Sequence, residues 1–328
     1  MPQQMAAPVI DGAKNSPSTQ LKSHGESVNS GTPSPTSNTG DIGGTRGTGD
    51  YRLLIDYVLV SFVGTSSAAG ICHYLFAYLA DFEVSETSYM RGFGRVLSNG
   101  KIHFHYENKD ARDVTLMEIR GGGCRFLEEQ DAHSWHSFFE QVTKVGEVIE
   151  LDHFAFKRID IAIDVFKSNN ALTPVRALNY LKKNLITSRF HTSRTIHEYR
   201  IKNGKLSGES FYFGKRSSDL SILIYDKRLE SRSEENIWYR TELRMRNSWG
   251  MKTITTILNP QVSFSKFVAE TLKSNIQFRS SVHKRSELRR RPLAVWYLNY
   301  LSYVERQGLH GLNKPEVEAG DPNVDSRK

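Results

Sequence analysis

Residues 156–165 read FKRIDIAIDV and form the most strand-like stretch of the 328-residue chain. Ile159, Ile161 and Ile163 alternate with acidic residues at Asp160 and Asp164. A period of two places the isoleucines on one face of a β-strand and the carboxylates on the other. This stretch therefore predicts a strand with one apolar face and one acidic face.

Strand-like and helix-like stretches flank this segment on both sides. Thr173-Pro174 predicts a helix start, because threonine caps a helix and proline fits its first position. Gly121-Gly122-Gly123 is predicted to break the chain before a helix. Strands and helices are mixed without a strict alternation, which indicates an α+β fold with a largely antiparallel central sheet, flanking helices and a helical C-terminal region. The predicted elements are strands 53–62, 101–107, 113–120, 156–165, 209–214, 221–225 and 238–245, and helices 66–81, 134–144, 174–183 and much of the chain from residue 264 onward.

Composition divides the chain into three segments. In residues 1–50, Ser, Thr, Gly, Pro and Asn dominate, and the first Phe, Trp or Tyr is Tyr51. Such a segment cannot bury enough apolar surface to offset the entropy lost on ordering. We therefore expect a disordered tail over 1–50, a folded domain over 51–260 and a helical basic region over 261–328.

The formal net charge is +8 for the whole chain, and since residues 1–50 carry −1, the residues after them carry +9. A positive surface attracts polyanions and releases their counterions, so nucleic acid is an expected partner. A basic protein without such a partner is the alternative.

The two cysteines, Cys72 and Cys124, stand apart in sequence and suggest neither a disulfide framework nor a zinc site. No apolar run reaches the roughly 18 residues that a membrane-spanning helix needs. The first residues lack the charged start and apolar stretch of a signal peptide. We therefore expect a cytoplasmic protein without a membrane span.

Five acidic residues fall inside apolar, strand-like runs. A carboxylate in such a position is costly unless it is paired or binds a cation. Oxygen ligands from neighbouring strands suit Mg²⁺ or Mn²⁺, so the set predicts a divalent metal site. The alternative is exposure to solvent or pairing with Arg158, Arg240 or Arg244. The five residues are Asp56, Glu118, Asp160, Asp164 and Glu242.

Tyr225 ends a strand-like run and is followed by charged residues. Most tyrosines in such positions are packing residues, and the chain has 14 of them. A phenol with a pKa of about 10 needs a nearby cation, metal or base to attack phosphorus at neutral pH. Lys227 would share a strand face with Tyr225 if the strand continues. This spacing makes Tyr225 a candidate nucleophile and Lys227 its candidate partner.

Two further motifs have an open interpretation. His103-Phe104-His105 is typical of the metal-binding strand of HUH nucleases, but the same histidines could face solvent or DNA. The run 283–291 is strongly cationic and could contact phosphates, or it could be the solvated face of a helix. The sequence contains no G-x-x-x-x-G-K-[ST] loop, which argues against an ATP-driven motor.

Five blocks occur in an order that is recognisable. Together they resemble the replication initiation factor family, which includes staphylococcal-type rolling-circle plasmid initiators, phage initiators and relaxases of integrative elements. The resemblance extends from about Leu53 to Trp296. The glutamate block has Glu-Ile-Arg-Gly-Gly-Gly-Cys where a Ser-Gly-x-Gly-Cys form is frequent. The blocks are LIDYVLVSF (54–62), MEIRGGGCR (117–125), RIDIAIDVF (158–166), GESFYFGKRSSDLSILIYDKRLE (208–230) and WYRTELRMR (238–246).

The resemblance implies a rolling-circle replication initiator that nicks and rejoins one DNA strand within 51–260. Tyr225 matches the nicking tyrosine, which forms a 5′-phosphotyrosine and leaves a 3′-OH primer. Glu118 and Asp160, and less closely Asp56, Asp164 and Glu242, match the carboxylates of a site that depends on Mg²⁺ or Mn²⁺. This carboxylate site is distinct from the histidine pair of HUH enzymes.

The expected partners are origin DNA with a single-stranded nick site in a hairpin, a host helicase and polymerase, and a second copy of the chain. The C-terminal region would serve DNA binding or dimer contacts. A relaxase of an integrative conjugative element and a non-catalytic DNA-binding regulator are the alternative functions. Candidate DNA contacts are Arg125, Arg158, Lys215, Arg216, Lys284, Arg285, Arg289, Arg290 and Arg291.

Overall fold

The structure is a computed structural model that describes residues 51–310, except 65–66, 80, 111–112, 131–133, 149–150, 167, 234, 236 and 283–286. All of these residues belong to one compact unit, Ser37–Lys328. The predicted tail over 1–50 lies outside the described residues, and so do Lys284 and Arg285. The boundary predicted between residues 260 and 261 stays a prediction.

The centre of the fold is a ten-stranded antiparallel sheet. In space its strands follow the order β2-β3-β4-β5-β1-β6-β11-β10-β9-β8, and a separate small sheet pairs β7 with β12. The α+β prediction with a largely antiparallel sheet is confirmed. The strands are β1 Tyr51–Gly64, β2 Glu83–Ser85, β3 Phe93–Ser98, β4 Ile102–Asn108, β5 Val114–Arg120, β6 Leu151–Phe166, β7 Ile186–Ser188, β8 Ser193–Tyr199, β9 Leu206–Phe213, β10 Leu220–Asp226, β11 Trp238–Arg246 and β12 Ile276–Phe278.

Strand β6 occupies the middle of the sheet, between β1 and β11. Ile159, Ile161 and Ile163 are fully buried in the main hydrophobic core, as the alternating pattern predicts. Burial of an aliphatic side chain contributes about 1.5–3 kcal/mol, so this row fixes which face of the strand turns inward. The acidic residues of β6 are thereby directed to the opposite face.

Helices cover the apolar face of the sheet. Phe139 of α3 packs edge-on against Phe156 of β6 at 5.7 Å between ring centroids, and Tyr303 of α8 stacks on Tyr51 of β1 at 4.9 Å. Among the described residues, no helix is long and apolar enough to cross a bilayer. A short 3-10 helix covers Leu288–Arg290. The α-helices are α1 Ala68–Phe76, α2 Gly121–Glu128, α3 Trp135–Val148, α4 Pro174–Lys182, α5 Lys227–Ser231, α6 Ser248–Leu258, α7 Phe264–Asn275 and α8 Val295–Glu305.

The three glycines at 121–123 begin helix α2, so the predicted chain break is wrong. Their small size serves close packing. A Cβ atom on Gly121 would lie 2.9 Å from Asp56 Oδ1, and one on Gly123 would lie 2.3 Å from the carbonyl oxygen of Lys101. Glycine therefore allows α2 to approach β1, where Asp56 lies.

Candidate active site

The face of the sheet opposite the isoleucine core carries a band of charged side chains. Arg240 on β11 lies opposite Asp164 on β6, and Arg244 lies opposite Asp160. On the other side of β11, Tyr225 of β10 lies opposite Arg240. Residues directly opposite each other in an antiparallel pair point to the same face, so these side chains share one surface. The acidic face predicted for β6 is therefore part of a larger polar face.

Tyr225 donates a hydrogen bond from its hydroxyl to Glu242 Oε1 at 2.7 Å. The tyrosine is only 7% exposed. Burial, and then the negative charge of Glu242, raise the pKa of Tyr225 well above its usual value. Burial alone would raise the pKa of Glu242, but Arg244 and Arg240 hold it below its ordinary value. At neutral pH the pair is therefore a neutral phenol beside an ionised carboxylate that can accept its proton.

Arg240 connects two acids of this face. Its Nε and Nη2 donate to the two carboxylate oxygens of Asp164 at 2.6 and 2.9 Å, and its Nη1 donates to Asp56 Oδ1 at 2.8 Å. Arg244 Nη2 donates to Glu242 Oε2 at 2.8 Å. Buried charges persist only when they are paired, so these contacts fix the geometry of the face.

Asp56 lies where the register between β1 and β6 shifts, between Ile55 and Tyr57. A β-bulge of this kind redirects a side chain relative to regular alternation. Burial raises the pKa of Asp56 above its ordinary value, although Arg240 opposes the shift. Asp56 follows Arg52 and Leu54 on the polar face, where it shares Arg240 with Asp164, and after the shift Tyr57 lies opposite Asp160 on that face.

Lys227 does not continue the strand that carries Tyr225. Strand β10 ends at Asp226, whose carboxylate accepts a hydrogen bond from the backbone N–H of Leu229 at 3.2 Å and caps helix α5. The condition under which Lys227 would share a strand face with Tyr225 is therefore not met. Its Nζ nevertheless lies 5.8 Å from the centroid of the Tyr225 ring, and the side chain is fully buried and paired with Glu230.

Glu118 belongs to a second cluster, on β5. Its two oxygens accept hydrogen bonds from the hydroxyls of Tyr57 and Tyr89, each at 2.6 Å. Arg120 Nη2 lies 3.2 Å from Glu118 Oε2. Burial opposes ionisation of Glu118, but hydrogen bonds, with His105 first and then the two tyrosines, hold its pKa far below the usual range.

Both histidines of the His103-Phe104-His105 motif also lie in this second cluster. His105 Nε2 is 3.5 Å from Glu118 Oε2, and its Nδ1 is 2.8 Å from the hydroxyl of Ser88. Burial lowers the pKa of His103 to about 4. From the sequence, Glu118 and the histidine pair are predicted to belong to two alternative kinds of metal site. In the structure they lie in the same cluster.

The two clusters meet at Arg158. Its guanidinium binds Asp160 through Nε at 2.8 Å and lies 4.3 Å from the centroid of the Tyr57 ring. Sequence reasoning missed Tyr57 and Tyr89 as partners of Glu118. Tyr57 could have been noticed because it follows Asp56 within a family block, while Tyr89 lies outside every block.

Each of the five candidate carboxylates has an arginine partner in the structure. Within the described residues, no group of three or more His, Cys, Asp or Glu side chains is placed to hold a metal ion. The arginine pairing that the sequence left open is thus what the structure shows, and the residues as placed do not fit a preformed metal centre. The pairs are Asp56–Arg240, Glu118–Arg120, Asp160–Arg158, Asp164–Arg240 and Glu242–Arg244.

The candidate DNA contacts have different surroundings. Arg125 is used inside the protein, where it donates to the carbonyl of Ile55 and pairs with Glu128 at 2.8 Å. Lys215 and Arg216 are exposed in the turn between β9 and β10, at the end of β10 remote from Tyr225. Arg289, Arg290 and Arg291 lie in and just after the 3-10 helix, and the first two are exposed.

Two family models and one curated relative match this chain. A family model described as the N-terminal domain of rolling circle replication initiation proteins matches residues 52–141, and one described as replication initiation factor matches residues 154–316. The putative DNA relaxase NicK of Bacillus subtilis (strain 168) is 27% identical over 215 residues, which cover 62% of this chain and 58% of the relative. The chain therefore spans less than two thirds of that relative's length.

A solved structure shares the fold. The rolling circle replication initiator protein from Geobacillus stearothermophilus superposes with a TM-score of 0.68 at 25% sequence identity, over 80% of this chain and 100% of the other. The matched segments contain β5, β10 and β11 and all but the first residues of β1 and β6, the strands that carry both polar clusters. The chain belongs to the replication initiation factor family.

Proposed function

We propose that this protein initiates rolling-circle replication by nicking one DNA strand at an origin and rejoining it, with Tyr225 as the nucleophile. The observation that carries the proposal is the 2.7 Å hydrogen bond from Tyr225 to Glu242, on a face that also holds Arg240 and Arg244. Membership of the family supports DNA nicking in general. The position of Tyr225 beside an ionised acceptor and opposite the buried Arg240 supports this particular residue.

In the proposed step, the Tyr225 oxygen attacks the scissile phosphorus. An oxygen–phosphorus bond forms to the tyrosine and the bond from phosphorus to the 3′ oxygen breaks. The phenolic proton passes to Glu242, and the departing 3′ oxygen takes a proton from water to become a hydroxyl. The product is a 5′-phosphotyrosine with a free 3′-OH that can prime synthesis.

The arginines give this face the charge that such a reaction needs. A pentavalent phosphorus gathers negative charge on its oxygens, and fixed cations nearby stabilise it without reorganising. Arg244 binds Glu242 and Arg240 lies opposite Tyr225 in the sheet. Because a phosphotyrosyl ester conserves the phosphodiester bond energy, the same residues can run the step backwards and rejoin the strand.

A requirement for Mg²⁺ or Mn²⁺ stays a prediction that rests on the resemblance to the family. A divalent ion would polarise the scissile phosphate. The roles proposed for Tyr225 and Glu242 use only side chains of this chain. The helicase, the polymerase, the second copy and a cytoplasmic location also stay predictions.

The runner-up function is that of a relaxase, in which the same chemistry begins transfer of an integrative element. Similarity to the putative relaxase of Bacillus subtilis favours it, and similarity to the rolling circle initiator favours replication. A DNA-binding regulator that never cuts is the third alternative.

The test is to incubate the full chain with end-labelled candidate origin DNA and Mg²⁺ or Mn²⁺, followed by denaturing electrophoresis. We expect a covalent protein–DNA adduct with the wild-type chain. The Tyr225→Phe variant should bind the DNA and form none. Binding without an adduct in the wild-type chain would indicate a regulator, and nicking by Tyr225→Phe would contradict the assignment.

A further inference from the structure

Strands β8 and β9 form a two-stranded ribbon that extends past Tyr225. Strand β9 pairs with β10 only from Phe213 to Ser210, and Ser210 lies directly opposite Tyr225. The pairing between β8 and β9 continues further, to Tyr199 opposite Leu206. At about 3.3 Å per residue, the ribbon projects roughly 13 Å beyond the nucleophile before its turn.

The tip of this ribbon is cationic. Residues 199–206 read YRIKNGKL, with Arg200, Lys202 and Lys205 and no acidic residue. All eight residues are exposed. The turn is well formed: the Arg200 N–H donates to the Lys205 carbonyl and the Gly204 N–H donates to the Arg200 carbonyl, both at 2.8 Å, with Gly204 at a φ of +64°. The fold therefore holds the three cations together at the end of the ribbon.

Ile201 stands between two of these cations and is fully exposed. An aliphatic side chain in this position adds nothing to the core and is costly to hydrate. Ile201 lies at the end of a projecting basic ribbon, between Arg200 and Lys202. This arrangement suits a partner with an apolar surface that is flanked by phosphate groups.

Cations also line the stem of the ribbon on the face of Tyr225. Arg194 lies 4.9 Å and Arg244 lies 6.0 Å from the centroid of the Tyr212 ring. The acids of the stem are Glu198 and Glu209, and Glu209 binds His197 at 3.1 Å. Ser210 lies opposite Tyr225, and the ribbon carries cations on both sides of it: Arg194 toward the stem and the three cations of the tip toward the turn.

We propose that the β8–β9 ribbon, residues 193–213, is a DNA-binding arm that enters the major groove of the duplex flanking the nick site. A two-stranded antiparallel ribbon fits that groove, and apolar side chains there contact thymine methyl groups. Arg200, Lys202 and Lys205 bind backbone phosphates, and Ile201 faces the base edges. The placement of the duplex beside the nick rests on the function proposed for Tyr225, whereas duplex binding by the arm does not.

The test compares two full-length triple variants. Arg200→Ala/Lys202→Ala/Lys205→Ala removes the cations of the tip, and a matched control, Lys182→Ala/Lys266→Ala/Lys273→Ala, removes three exposed cations from helices α4 and α7. Dissociation constants are measured by fluorescence anisotropy without divalent ions. The probes are a labelled duplex of about 30 base pairs and a single strand of about 30 nucleotides, between about 50 and 200 mM NaCl.

Each phosphate contact contributes about 0.9 to the slope of log affinity against log salt for duplex DNA. We expect the slope to fall by about 2 to 3 for the tip variant and duplex affinity to drop at least about tenfold near 100 mM NaCl. Single-strand affinity should stay within about twofold of the wild-type value. The Ile201→Ser variant should weaken duplex binding by about threefold or more at an unchanged salt slope, since it removes no charge.

A tip variant that binds duplex as tightly as the helix control would overturn the proposal. An equal loss on single-stranded DNA would also overturn it, because the tip would then bind any polyanion. All substituted residues are exposed, so thermal melting should match the wild-type chain. No strand is cut in this assay, so its result does not depend on whether Tyr225 is the nucleophile. Conversely, adduct formation by Tyr225 is measured separately and does not depend on whether the ribbon binds duplex DNA.

Discussion

Two clusters on the same face of the sheet each join tyrosine to glutamate, yet their surroundings differ. Tyr225 donates to Glu242 at 2.7 Å, and Tyr57 and Tyr89 each donate to Glu118 at 2.6 Å. Glu242 has one tyrosine on one oxygen and Arg244 on the other. Glu118 has a tyrosine on each oxygen and Arg120 beside the second.

The difference teaches that a short tyrosine–glutamate hydrogen bond does not identify a nucleophile by itself. Burial raises the pKa of all three tyrosines. Only Tyr225 also lies opposite a buried arginine, Arg240, at the end of a strand and beside the projecting ribbon. The cluster of Glu118 uses its oxygens to hold two tyrosines of different segments, which is the arrangement of a structural brace.

The largest expected effect separates the three tyrosines. Tyr225→Phe should reduce adduct formation to background, because no oxygen remains to attack phosphorus. Tyr57→Phe and Tyr89→Phe should form adduct at a rate within about tenfold of the wild-type chain, since neither hydroxyl is assigned to the reaction. Denaturing electrophoresis with labelled DNA measures all three. Loss of the adduct in Tyr89→Phe with Tyr225→Phe still active would reverse the roles of the clusters.

The resemblance to the family predicts that removal of divalent ions also reduces adduct formation to background. Chelation with EDTA followed by addition of Mg²⁺ or Mn²⁺ gives the test. Glu118→Gln then sharpens the comparison: because Glu118 is assigned to a brace, the metal concentration for half the maximal rate should rise by less than the roughly tenfold expected for loss of a metal-binding group. Full nicking in EDTA would show that the arginine-rich face works without a metal.

Glu242→Gln should keep a hydrogen bond to Tyr225 but cannot accept its proton. We expect adduct formation to slow by about 10²- to 10⁴-fold, the range for loss of a general base. Because the pKa of Glu242 is held below its usual value, the carboxylate stays ionised as pH falls, and the wild-type rate should not decline between about pH 8 and pH 6.

The matched control for Glu242 is Glu140→Gln, an exposed carboxylate on helix α3 that pairs with Lys144. Thermal melting confirms that each variant is folded. A Glu242→Gln chain that nicks as fast as Glu140→Gln would remove Glu242 from the reaction.

The smallest effect concerns stability rather than activity. Tyr57→Phe removes one hydrogen bond to the ionised and buried Glu118, and such a bond contributes about 1.5–3 kcal/mol. The free energy of unfolding, measured in urea, should fall by about that amount while nicking continues. An unchanged urea midpoint would mean that Glu118 finds another donor and does not act as a brace through Tyr57.

The sequence allowed the centre of the fold to be predicted because alternation in β6 and the cap at Thr173 are local signals. Thr173 accepts a hydrogen bond from the backbone N–H of Arg176 at 3.1 Å, as a capping residue should. The glycines of α2 were misread because their purpose is contact with β1 and Lys101, which is distant in sequence. Strand β8 was missed because SRTIHEY is an exposed edge strand without an apolar face.

For the site, the sequence identified the acidic residues and Tyr225 but not their partners. Which arginine meets which carboxylate depends on the register between strands, and register across β6 and β11 cannot be read from either strand alone. Tyr89 reaches Glu118 from the segment between β2 and β3, a contact that no spacing in the sequence indicates.

The most direct test of the central claim is to identify the residue that carries the DNA. The wild-type adduct is digested with protease and nuclease, and the modified peptide is sequenced by mass spectrometry. We predict a nucleotide joined through its 5′ phosphate to Tyr225, in the peptide that contains SILIYDK. A phosphotyrosine at Tyr57, Tyr89 or Tyr212 instead would contradict the account.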